Sequence, residues 1–88
     1  MPLISTFFGL IIKMYFDDQE HKHVPHFHVK YSGQEAVYSL DGKCLAGKLP
    51  QKQTKLVLAW TEIHKEELKA LWELMQETGE YFRIKGLE

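Results

Sequence analysis

Between Pro50 and Gly79 the chain contains neither glycine nor proline, whereas Pro25, Gly33, Gly42 and Gly47 punctuate the segment before it. That division constrains the fold more than any other feature. A long run without breakers, with apolar residues at helical spacing, reads as a helical half. Short β-branched and aromatic runs between turn signals read as a strand half.

In the strand half, Leu10–Phe16 is the first strand, with Leu10, Ile12, Met14 and Phe16 on the core side. Charged and histidine-rich residues 17–25 form a loop. His26–Tyr31 is the second strand; Phe27, Val29 and Tyr31 share one face, and His26, His28 and Lys30 share the other. Ser32-Gly33-Gln34 is a tight turn, and Glu35–Leu40 is a third strand with Ala36, Tyr38 and Leu40 on one face. Asp41-Gly42 is a hairpin signal that leads into a weaker fourth strand, Lys43–Leu49, broken by Gly47.

In the helical half, Pro50 suits a first helical position. From there Leu56, Val57, Trp60, Ile63, Leu68, Leu71, Leu74 and Met75 fall on one face at about 100° per residue. His64 and Glu67 fall on it too, and one unbroken helix would bury both. A kink or break near His64 resolves this, with Lys65-Glu66-Glu67 opening a second helix whose acidic first turn complements the helix dipole. Gly79 is a natural stop, and residues 81–84 return as a short strand. The predicted architecture is α+β: one domain over residues 1–88, a small antiparallel sheet of three to five strands, and one face packed by a kinked helix or two C-terminal helices. At 88 residues, such a domain buries roughly 60–65% of the surface its unfolded chain exposes.

If one face is covered by helix, alternation leaves Lys13, Tyr15, His26, His28 and Lys30 on the other. That face adjoins a dense cluster: four of the five histidines, His21, His23, His26 and His28, lie within eight residues. Imidazole titrates near neutrality and binds metals, so three roles are open. His26 and His28, roughly 6.5–7 Å apart at i and i+2 of a strand, are candidate acid–base residues of a metal-independent RNase, with Lys30 steadying phosphate. They are also candidate ligands for a divalent metal, completed by Asp17 or Asp18. Lys13, Tyr15, His21, His23 and Lys30 are candidate binding residues for a partner protein or RNA. The bland alternative is a solvated face that merely tolerates histidine. Asp17 and Asp18 likewise suit a strand end, His64 a hydrogen-bonded core or cap position, and Trp60 and Trp72 core anchors, Trp72 at the edge of the stripe.

The net charge of −1 and pI near 6.5 give no global push toward nucleic acid or anionic membrane, leaving only a local basic patch. The lysines of the helical half alternate with Glu62, Glu66, Glu67 and Glu73, which disfavours a DNA-reading helix. No segment reaches the roughly 20 apolar residues of a membrane span. A single Cys44 and the lack of a secretory signal predict a cytoplasmic protein. An open sheet face or edge also suits a homodimer.

Pro2-Leu3-Ile4-Ser5, Phe8-Gly9, Met14-Tyr15, Pro25-His26-Phe27-His28, Gly47-Lys48-Leu49-Pro50, and Trp60 with Leu68 resemble the family of short prokaryotic proteins known as domain of unknown function 4160. The resemblance runs from Met1 to about Leu74. Val24 stands where the family pattern has the first of two prolines, and the loop carrying His21 and His23 is longer, so either of these two histidines could match the family histidine. The resemblance implies a prokaryotic member of a toxin–antitoxin-like gene pair with a partner protein from an adjacent gene, and supplies no mechanism.

Overall fold

The computed structural model describes residues 2–15 and 24–87. Five strands, β1 (Leu3–Phe7), β2 (Leu10–Lys13), β3 (His26–Tyr31), β4 (Gln34–Ser39) and β5 (Cys44–Gly47), are followed by helices α1 (Gln51–Ile63) and α2 (Lys65–Thr78). The sheet is antiparallel throughout, in the order β1-β2-β3-β4-β5. It is the expected α+β fold, with two corrections.

The first correction is at the N-terminal end. β1 precedes the first predicted strand, and β2 ends at Lys13, short of the predicted boundary at Phe16, which lies outside the described residues. The signal for β1 was present: Leu3-Ile4-Ser5-Thr6-Phe7 is apolar and β-branched, and Phe8-Gly9 closes a two-residue hairpin with both φ angles positive, 47° and 81°. A bulge at Ile4 shifts the register between Leu3 and Ser5, which pair with Lys13 and Ile12. Ile4 and Ser5 are consequently both buried.

The second correction concerns residues 81–84, which form no strand. The tail nevertheless runs back to the sheet. The Ile84 N–H donates to the Ile4 carbonyl (2.7 Å), and Trp60 Nε1–H donates to the Lys85 carbonyl (2.9 Å). A single anchored residue satisfies the bulged strand without a ladder.

The remaining elements follow the predicted chemistry. Ser39 Oγ accepts from the Asp41 and Lys43 N–H groups, fixing the Asp41-Gly42 turn. Gly47, at φ 77°, lies so close to β4 that an added Cβ would sit 2.2 Å from the Glu35 carbonyl oxygen. The helical half is interrupted at His64 alone (φ −107°, ψ 22°), and Gly79 ends α2 in the left-handed conformation.

Val57, Trp60, Leu68, Leu71 and Met75 form the helical side of the core, against Leu10, Ile12, Met14, Phe27 and Val29 of the sheet side. Ile63, expected on the apolar face, is 65% exposed, because the break at the next residue ends the stripe there. Trp60 is the hub. Its ring lies 5.5 Å from Phe7 and 5.7 Å from Phe27, centroid to centroid, so one side chain joins β1, β3, α1 and the tail.

Candidate functional site

Cross-strand register builds the face that carries neither α1 nor α2, helix-free among the described residues. Lys13 pairs with His28, and His28 in turn with Val37; Ile11 pairs with Lys30, and Lys30 with Glu35. Paired residues of an antiparallel sheet point to the same side, so these positions form two adjacent rows. Lys13, Tyr15, His28 and Lys30 line one depression of about 180 Å³ together with Ile11 and Glu35. The Tyr15 and His28 rings meet at 4.2 Å, tilted by 47°. A second hollow of about 280 Å³ continues past His28 and Glu35 to Val37, Ala46 and Gly47.

Four of the candidate residues are thus brought together: Lys13, Tyr15, His28 and Lys30. His26 is not on this surface. It is fully buried, contrary to its predicted place outside the core. As the first residue of β3 it folds back on its own approach segment, where Nδ1–H donates to the Val24 carbonyl (2.6 Å). A carbonyl only accepts, so Nδ1 carries the proton. Trp72 of α2 packs 5.4 Å from the ring, which places that tryptophan in a core contact at the end of the sheet. Strict alternation holds inside a strand and fails at its end, where the chain turns and a helix reaches round. The His26 and His28 rings still approach to 5.4 Å, one beneath the surface and one half-buried at it.

His21, His23, Asp17 and Asp18 lie outside the described residues. Among the described residues, no group of three or more His, Cys, Asp or Glu side chains is placed to hold a metal ion. The His26–His28 ligand set therefore has no third member there.

His64 takes the hydrogen-bonded cap position. Its Nδ1–H donates to Glu67 Oε1 at 2.6 Å, and its ring lies 5.7 Å from Trp60. Tyr38 belongs to the core side, where burial pushes its phenol above the ordinary value against a hydrogen bond with Thr54.

The sequence reading overlooked Ile11, Glu35, Val37 and Ala46 on the helix-free face. Period two in β4 was the available signal: if Ala36 and Tyr38 face the helices, Glu35 and Val37 do not. Larger hollows lie under Phe8 and at the β5–α1 junction, of about 400 and 460 Å³, and neither contains a histidine.

No helix among the described residues is long and apolar enough to cross a membrane. Comparison with curated proteins and with solved structures returns no match. Residues 9–73, from the β1–β2 turn through most of α2 and including every residue of the helix-free depression, match the family described as domain of unknown function (DUF4160), and the chain belongs to that family.

Proposed function

We propose that this chain is a small cytoplasmic prokaryotic member of a toxin–antitoxin-like gene pair, and that it binds a macromolecular partner through the helix-free sheet face. The observation that carries this reading is the convergence of Lys13, Tyr15, His28 and Lys30 on one depression. Shape favours a macromolecule over a metabolite. Small-molecule sites are typically concave pockets that enclose the ligand, whereas this depression runs into the adjoining hollow as an open surface from β2 to β5. The two-histidine nuclease reading is less well supported, because a fully buried His26 is withdrawn from any substrate on the face, leaving His28 as its only acid–base group among the described histidines there.

The test is a double substitution, Lys13→Glu with His28→Ala, in the chain co-expressed with its neighbouring gene. The wild type should retain a bound protein or RNA through purification, and the variant should lose it while unfolding within about 0.5 kcal/mol of wild type. Undiminished binding by the variant would refute the assignment of this face. RNA cleavage that survives His28→Ala would exclude the single-histidine nuclease.

A further inference from the structure

Resting on that reading of the face, we propose that its occupant is single-stranded RNA. The two hollows share His28 and Glu35 and together form a shallow furrow crossing β2, β3, β4 and β5. Its components are those of a single-strand platform, where aromatic rings stack bases and cations track phosphates. The half-buried Tyr15–His28 ring pair is the aromatic element. Lys13 stands directly across from His28 on β2, and Lys30 lies two residues farther along β3.

Glu35 has a place in this arrangement. A carboxylate repels phosphate but accepts hydrogen bonds from exocyclic amines and from a ribose 2′-hydroxyl. It therefore turns sugar and base edges toward the centre of the furrow, with the backbone along the lysines. The 2′-hydroxyl is the group that separates RNA from DNA in such a site.

Charge is also partitioned by layer. The described sheet segments carry Lys13, Lys30, Lys43 and Lys48 against Glu35 and Asp41, whereas residues 51–80 carry four lysines against six glutamates. Among the described residues of these two parts, the lysine excess lies on the sheet and the glutamate excess on the helices.

A protein partner is disfavoured by apolar content. Stable protein interfaces centre on buried aromatic or aliphatic anchors. Of the exposed large hydrophobic residues, Phe8, Val24, Leu58, Ile63, Tyr81 and Phe82 lie on the hairpin tip, the approach to β3, α1 and the tail. Among the described residues only Ile11, 38% exposed, lies in the furrow.

The experiment is fluorescence anisotropy of the full chain with a labelled single-stranded RNA of about ten nucleotides and mixed sequence, over a salt series. Competitors are single-stranded DNA and duplex RNA of the same length. Each lysine replaced by glutamine should lower the slope of log K against log salt by about 0.7. Tyr15→Ala should weaken binding at least about fivefold with the slope unchanged. Equal competition by DNA or duplex, or variants that bind RNA like wild type, would overturn the proposal. If RNA fails to bind but the co-expressed neighbouring protein does, in a manner dependent on Lys13 and His28, the RNA inference falls and the binding face stands. If neither binding depends on these residues, both fall.

Discussion

Phe27 and His28 are neighbours in sequence and face opposite sides of the same strand. Phe27 is fully buried, 5.7 Å from Trp60 and 6.1 Å from Tyr38. His28 stands half-buried on the helix-free side, against Tyr15 and across from Lys13. The covered side is held by mutual packing, so its residues are answerable to volume. The side away from α1 and α2 carries polar, partly exposed residues, so they are answerable to what they can bind. A substitution on the first should register as lost stability and one on the second as lost affinity.

The largest expected effect is on the covered side. Trp60→Ala removes the ring shared by Phe7 and Phe27 and the donor to the Lys85 carbonyl. The expected cost is about 3–5 kcal/mol, a large part of the 5–15 kcal/mol that holds an ordinary domain together. Urea denaturation measures it, and a loss below about 1 kcal/mol would show that Trp60 is not the hub.

Gly47→Ala is the exception that sharpens the contrast. Gly47 lines the furrow, yet its φ of 77° and its approach to the Glu35 carbonyl leave no space for a Cβ. A loss of about 2 kcal/mol or more is expected, read as a melting temperature lowered by roughly 8–16 °C for a domain of this size.

His26→Ala and His28→Ala form the closest test of the comparison. His26→Ala vacates a buried site and orphans the Val24 carbonyl, with an expected cost of about 1–3 kcal/mol. His28→Ala should stay within about 0.5 kcal/mol. Equal destabilisation by both in parallel denaturant titrations would erase the distinction between the two histidines. The smallest stability effect belongs to Lys13→Glu, again within about 0.5 kcal/mol, although the same change should abolish binding at the face.

Much of this contrast was legible in the sequence because the core side of a strand obeys a period of two. Ile12, Met14, Phe27 and Val29 could be assigned to the core from alternation alone, and the break at His64 from two polar residues interrupting an apolar stripe. Three features were not accessible that way. β1 departs from a period of two because the bulge at Ile4 buries two consecutive residues, Ile4 and Ser5. His26 was misplaced because alternation says nothing about a strand's first residue, where Trp72, distant in sequence, decides the environment. Period two puts Glu35 on the face, but its place opposite Lys30 is a matter of register, a property of two strands together. The candidate face was therefore predictable as a composition, and its working members only once the pairing was known.

The bonds from Ile84 to Ile4 and from Trp60 to Lys85 also set a schedule for synthesis. The bulged Ile4 carbonyl takes its donor from a residue made some eighty positions later. The hairpins of the sheet can pair as they emerge, since their contacts are local, whereas this closure joins residues eighty apart and forms after them. Until residues 84 and 85 are made, the Ile4 carbonyl and the Trp60 indole N–H lack these partners, and the open β1 edge is then free to pair with another copy of the chain.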